Sequence, residues 1–553
     1  MRLVRIAIPL VLAAVIALWM QSAVADGGSE SYARPSVDSK KADNKTDEKK
    51  SGSFFGLFGS DDEDKDADEL EAGRAIDSYR HGNVDGIVQS VMRQKAFGLL
   101  RTNGHGLVPD RQLVGYVQEI LDRIVAASPV PNLNVRVYIR ASRAFIAEAY
   151  PGGLVSVSMG LLRDVSTEDE LAFVLAHELG HLLFRHHESD WLKNAQYKVF
   201  FASSLLGDAA DVYAAYSGNT EMSKKLDRVA KISKGFYEVT DHALNPAWNR
   251  KQEVLADKIG LDLLIRAGYK PAAGMVFFDK QKAYEDGLEK ERLAERERER
   301  KQAEEEVESA VERKNFFSAL TTAVGQGVSQ VGDSLKDDLG ATHYPADKRK
   351  ADLNEYLNVN YKKTKDPLFR KVRRKTAIAL PWGNWQDASA KDEESRFIRS
   401  YRSVEEASEL LNLSDATAAA KLLSGAIYDR TRGHSFHRHV FFKVRAAQEQ
   451  SDRAWTNLKL ALDGPATSLP IYKAAIDLRL KRKDAPEALK ILERARQDLD
   501  DPVSLWPLRI AVLTKLQREK EIRSLMLECQ AESEELGKAC KSAHKEAKAE
   551  QAS

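Results

Sequence analysis

The apolar and polar positions along the chain fall into patterns of quite different kinds. Ile6 to Met20 is an apolar run of 15 residues behind Arg2 and Arg5, followed by the small residues Ala23-Val24-Ala25. A membrane-spanning helix needs about 20 apolar residues, so residues 1–25 read as a secretory signal peptide. Residues 26–75 are rich in Ser, Gly, Lys and Asp and poor in large apolar residues, the composition of a disordered acidic and polar linker. One apolar island, SGSFFGLFGS at 51–60, interrupts it.

Periodic patterns begin near Ile76. In DRQLVGYVQEILDRIVAAS, Asp110 is placed to cap a helix whose Leu113, Val117, Ile120 and Ile124 share one face. Alternation then predicts strands over Leu133–Arg140 and Ala144–Tyr150, a turn at Pro151-Gly152-Gly153, and a third extended piece, LVSVSMG. Thr167 and Glu170 form a capping-box pair ahead of Leu171, Val174, Leu175, Leu182 and Leu183, which recur at helical spacing. That pattern continues through Phe184. NRKQEVLADKIGLDLLIRAGYKP predicts another helix, stopped by Gly268 and Pro271. Lys280 to Arg313 is almost solid Lys, Arg and Glu, a solvated helix held by i,i+4 ion pairs within an insertion spanning 280–335. FRKVRRK (Phe369 to Lys375) reads as a solvated basic face. From Arg396 to Ser553 the composition is helical. Ala475, Leu480 and Leu489 recur as Ala511, Leu516 and Leu525, an offset close to the ~34-residue period of tetratricopeptide (TPR) repeats.

Length and charge narrow the possibilities. A chain of 553 residues supports two or three domains. Its 84 basic and 83 acidic side chains cancel to +1, so no global positive field draws it to nucleic acid. Two cysteines, Cys529 and Cys540, flank Gly537. In an oxidising compartment such a pair closes into a disulfide worth about 2.5–3 kcal/mol in the chain-entropy account.

The chemistry concentrates in FVLAHELGHLLFRHH, Phe173 to His187. His177 and His181 are i and i+4, one turn apart on one face, so both imidazoles reach one cation. Glu178, rotated by about 100°, lies beside that cation and suits a general base. Catalytic zinc takes three protein ligands and keeps one position open. If the helix runs on through Phe184, His187 faces away, about 240° around from His181, and so does His186, about 180° from His177. Both then read as polar residues complementing the dipole at the helix end. The third ligand is read as Glu253, with Asp257 one turn further on to accept the outer N–H of a ligating imidazole. Zinc follows from the ligand types, although cobalt or manganese accepts the same set.

HELGH followed by Glu253-x-x-Ala256-Asp257 resembles the gluzincin metallopeptidases related to HtpX and the CAAX prenyl proteases. AEAYPGGLVSVSMGLL resembles that family's Ala-x-Ala-x-Pro-Gly-Gly strand, and ATHYPADKR its Ser/Thr-His-Pro…Arg element. Two departures stand out: Ile146 replaces a frequent Asn, and Tyr344 separates His343 from Pro345, shifting Arg349 by one position. The resemblance implies an α+β zincin-like metallopeptidase domain, mostly helical with a small sheet, over 76–375. An all-α TPR-like helical-repeat domain follows over 396–553. With a signal peptide in front, this arrangement is most similar to periplasmic BepA-type members. The resemblance further implies one Zn²⁺ per subunit and an oxyanion role for His343. Substrate is expected to pair with an edge strand carrying Ala147, Ala149, Pro151, Gly152 and Gly153. The expected partners are unfolded or misfolded envelope polypeptides and, through the repeats, outer-membrane assembly machinery, with only peripheral membrane contact. The rival expectation is a chaperone or assembly scaffold whose zinc site is structural or latched.

Overall fold

The computed structural model describes residues 73–79, 90–102, 106–186, 250–312, 344–412 and 415–552, and elements are numbered over these. Residues 1–25, the apolar island at 51–60, His187, the insertion beyond 312 and His343 lie outside them. A 3₁₀ turn (Ala75–Ser78) precedes α1 (Ser90–Thr102) and α2 (Arg111–Ala126). Asp110 caps α2 as expected, accepting from Leu113 N at 2.8 Å. The apolar stripe Leu113, Val117, Ile120 and Ile124 is fully buried, since α2 lies between the sheet and the helices described next.

The sheet has three strands, β1 (Arg136–Arg140), β2 (Ala147–Tyr150) and β3 (Leu154–Ser158), in the order β1-β3-β2. β1 runs parallel to β3, and β2 runs antiparallel to it, with Ala149 opposite Val155. The tight reversal between β2 and β3 rests on Gly152 and Gly153, at φ +87° and +73°, where a Cβ would be strained. The strands are shorter than the alternation predicts. Leu133 to Val135 and Ala144 to Ile146 stand outside them. Ser158 caps a helix through Leu161 N, so Met159 and Gly160 open α3 (Met159–Asp164) instead of extending β3.

Next come α4 (Glu168–Leu183), α5 (Arg250–Arg266) and α6 (Ala273–Glu312). α6 begins inside the core. Phe277 and Phe278 are buried against Phe173 of α4, and Lys280 reaches Glu170 at 2.6 Å. The charged stretch is therefore the outward continuation of a core helix. α7 (Ala346–Leu357) and α8 (Pro367–Val372) complete this part. Asp262 of α5 accepts from Tyr356 at 2.8 Å, Tyr361 at 2.5 Å and the Ile76 amide at 3.0 Å, pinning the first 3₁₀ turn.

Beyond residue 392 the regular structure of the described residues is helical: α9 (Glu393–Asn412), α10 (Ala416–Ala426), α11 (Ser435–Ala447), α12 (Ser451–Leu462), α13 (Leu469–Lys481), α14 (Ala485–Leu499), α15 (Trp506–Lys515), α16 (Glu519–Glu532) and α17 (Glu534–Ala552). α9 packs on α10, α11 on α12 and α13 on α14, a succession of helix pairs. Cys529 and Cys540 are bonded to each other, tying α16 to α17. The segment between α8 and α9 is not a loose tether. Trp382 is buried and donates to the Leu162 carbonyl at 2.7 Å, and one hydrophobic core holds residues from both sides of this segment, among them Leu162 and Phe173 before it and Phe397 and Tyr401 after it. Across this core Arg163 of α3 meets Glu405 of α9 at 2.8 Å; separately, where α1 packs on α13 and α14, Arg101 reaches the Thr467 and Asp498 carbonyls at 3.1 and 2.9 Å.

Candidate metal centre

α4 owes its precision to its start and its surroundings. Thr167 Oγ1 accepts from Glu170 N at 3.2 Å, and the Glu170 carboxylate returns to the Ser166 amide at 3.1 Å, so orphan amides at the helix start are satisfied. Every residue from Glu168 to Leu183 is buried, consistent with apolar residues all round the helix. α5 crosses it closely because the facing positions are small. A Cβ on Gly260 would lie 3.1 Å from the His177 Cα, and one on Gly180 would lie 3.3 Å from the Ala256 Cα. This near contact of two backbones sets Glu253 of α5 opposite the histidines of α4.

Three ligand-type atoms converge there. His177 Nε2 and His181 Nε2 are 3.0 Å apart, and the Glu253 carboxylate oxygens lie 3.7 Å from the first and 3.6 Å from the second. Ligands about 2.05 Å from a tetrahedral zinc stand roughly 3.3 Å from one another, a value these separations bracket. Among the described residues this is the cluster of His, Cys, Asp or Glu that fits a metal ion, and all three members are buried. Two imidazole nitrogens and one carboxylate are a donor set suited to zinc.

Asp257 lies where its spacing places it. Its Oδ1 is 2.9 Å from His177 Nδ1, and an acceptor there holds the proton on Nδ1 and turns the Nε2 lone pair inward. Asp257 is itself held by a residue that the ligand reasoning left out. Arg349 of α7 donates Nε and Nη2 to Asp257 at 2.8 and 2.6 Å, and its Nη1 reaches Glu253 Oε2 at 2.9 Å. The guanidinium is buried, with Phe278 against its face at 4.9 Å. Although burial opposes it, Arg349 holds the Asp257 carboxyl below the usual range. The signal was present as the Pro345…Arg349 element, but nothing local to that element shows which carboxylates it serves. The one-residue shift introduced by Tyr344 does not keep Arg349 from the site.

Glu178 is also buried, and its Oε2 has no hydrogen-bond partner among the described residues. Burial is the main influence and pushes its carboxyl up to about 7, against the nearby His177. A carboxyl poised near neutrality, one residue from a ligand position, has the property of a proton carrier.

The end of α4 departs from expectation. The helix does not continue past Leu183. Phe184 caps it, Arg185 takes the left-handed conformation at φ 51°, and the His186 amide returns to the His181 carbonyl at 3.1 Å. His186 therefore does not face away. It is buried, with Nδ1 2.9 Å from Nδ1 of His181. No Gly or Pro marks this stop, so the apolar periodicity overran it.

The expected substrate strand divides in two. β2 ends the sheet, and among the described residues no strand pairs with its outer edge. Ala147 is half-buried and Ala149 is fully buried. Pro151, Gly152 and Gly153 form the turn. There the Gly152 carbonyl accepts from Arg93 Nε at 2.8 Å, and the Gly153 carbonyl accepts from Arg136 N at 2.9 Å. A Cβ on Gly152 would come within 2.4 Å of the Arg93 backbone. Gly152 seats α1 against the turn, and Gly153 continues the pairing with β1.

Residues 111–357, from the start of α2 to the end of α7, match the model of peptidase family M48. The mitochondrial metalloendopeptidase OMA1 of Schizosaccharomyces pombe is 29% identical over 175 residues, 32% of this chain and 46% of that protein. A putative beta-barrel assembly-enhancing protease of Vibrio cholerae is 25% identical over 197 residues, 36% of this chain and 38% of that protein. The metalloprotease LoiP of Escherichia coli is 26% identical over 155 residues, 28% and 54% of the two chains. The match covers about a third to a half of these relatives' lengths. The family resemblance carried by the motifs holds, and it supports a metalloprotease.

Proposed function

We propose that this chain, M48-like in its sequence, is a zinc-dependent metalloendopeptidase. The convergence of His177, His181 and Glu253 beside the buried Glu178, whose Oε2 has no partner among the described residues, carries the reading. Zinc at this position supplies a Lewis acid that polarises a peptide carbonyl and makes water more acidic near neutral pH. His177, His181 and Glu253 hold it. Asp257 fixes the His177 tautomer, and the buried Arg349 guanidinium pairs with both carboxylates of α5. Glu178 takes a proton from the attacking water and returns it to the leaving amine, while burial keeps bulk water from short-circuiting that transfer. An extended substrate adds to the outer edge of β2, where backbone bonds give sequence-tolerant affinity. His343 serves the oxyanion, as the resemblance implies.

Substrates on this reading are misfolded or unassembled envelope proteins met after export into the periplasm. Relatives named as beta-barrel assembly-enhancing proteases support that setting. The helix pairs after residue 392 are TPR-like and recruit clients or assembly machinery. The test uses purified full-length chain, its metal content, and an unfolded outer-membrane polypeptide as substrate. Glu178→Gln is expected to keep its metal and lose cleavage by at least about 100-fold. Cleavage at the wild-type rate by metal-loaded Glu178→Gln overturns the mechanism. An envelope defect fully rescued by the same variant, but not by a chain lacking residues 396–553, shows the scaffold reading instead.

A further inference from the structure

The two histidines of the site differ in what stands behind them. His177 has a carboxylate, Asp257, at its Nδ1, and a carboxylate only accepts, so the His177 proton sits on Nδ1 and Nε2 is bare. The same question arises at His181, whose ring is fully buried. Its Nε2 faces His177 Nε2 at 3.0 Å, and its Nδ1 faces His186 Nδ1 at 2.9 Å. A neutral imidazole carries one proton. Placed on Nε2, that proton would lie between the two rings where the cation belongs. Placed on Nδ1, it needs an acceptor, and His186 Nδ1 is within hydrogen-bond distance.

We propose that His186 is a positioning residue for the metal centre: its Nδ1 accepts the proton of His181 Nδ1, selecting the tautomer whose Nε2 is open to the cation. The inference rests on the metal reading above. The chain bends away from helix for this contact. Arg185 adopts a left-handed conformation that a non-glycine residue disfavours, and the turn swings the next ring back beneath His181. Gln252, beside Glu253 on α5, donates to the His186 carbonyl at 3.3 Å, so the helix that brings the carboxylate ligand also holds this turn.

Zinc affinity, measured on full-length chain by competition with a chromogenic chelator, tests the proposal alongside urea unfolding of the metal-free protein. Asn places Oδ1 about where His carries Nδ1, whereas Gln places its oxygen nearer the Nε2 position. His186→Ala and His186→Phe are expected to weaken zinc binding about 10- to 100-fold. His186→Asn is expected to restore most of that loss and His186→Gln little of it, with the d–d spectrum of the cobalt-loaded protein following the same order. Wild-type affinity in His186→Ala overturns the proposal. So does a loss that Asn fails to rescue and that parallels a fall in metal-free stability, because that outcome marks a helix stop alone. Absence of any zinc binding in the wild type overturns the metal reading, and this inference with it. Zinc binding by the wild type with no change in His186→Ala overturns this inference alone.

Discussion

Replacing Arg349 with methionine removes a cation from between two buried carboxylates and leaves a side chain of similar length. Arg349 is only 6% exposed. It makes two contacts with Asp257, at 2.8 and 2.6 Å, and one with Glu253, at 2.9 Å. Three charge-assisted bonds at about 1.5–3 kcal/mol each would sum to several kcal/mol. The stranded carboxylates relieve part of that by taking up protons, so the net cost is capped near the 3–5 kcal/mol seen when one partner of a buried pair is lost. Arg349→Lys keeps the charge but not the fork, and its cost is about 1–2 kcal/mol. The assay is urea unfolding of metal-free protein at neutral pH, followed through tryptophan fluorescence, since Trp382 is buried in the same core. Pairing Arg349→Met with Asp257→Asn separates two explanations. If the cost comes from orphaned charge, the double variant is more stable than the Arg349→Met single. A single variant within about 1 kcal/mol of wild type, or a double variant destabilised by the sum of both changes, refutes this account of the site.

Three other expectations follow from particular contacts. Gly260→Ala pushes a methyl group to 3.1 Å from the His177 backbone; it is expected to cost about 1–3 kcal/mol despite alanine's better helix propensity, and to weaken metal binding by parting α5 from α4, as chelator competition would show. Burial lifts the Glu405 carboxyl to about 7, against Arg163, Arg402 and Arg143, so its folded value exceeds its unfolded one. Its stabilising contribution is therefore complete below about pH 4.5 and is lost as pH rises through 7, amounting to about 3 kcal/mol; unfolding from pH 5 to 8 should show this slope in wild type and not in Glu405→Gln. Reducing the Cys529–Cys540 bridge is expected to lower the stability of α16 and α17 by about 2.5–3 kcal/mol, seen as faster amide exchange in those helices while Glu168–Leu183 stays protected.

What the linear chain determined is what local chemistry determines. The Thr167–Glu170 capping pair and the spacing of Leu171, Val174 and Leu175 specify α4, and i,i+4 spacing alone puts His177 with His181 and Glu253 with Asp257. Asp110 and the stripe from Leu113 to Ile124 specify α2 in the same way. Tertiary structure decided whatever depended on residues distant in sequence. Arg349 meets Asp257 across 92 residues, through the packing of α7 on α5, and no short-range pattern names that partner. α4 ends at Leu183 without a glycine, and a residue distant in sequence holds the turn: Gln252 from α5 donates to the His186 carbonyl, next to a backbone at Arg185 that local preference disfavours. The sheet is shorter than its alternation because strand length is settled by which backbone groups find partners, and Met159 found a helix cap at Ser158 instead. Periodicity reports the face a residue presents. Which neighbour meets that face is set by how helices far apart in the chain close over a common core.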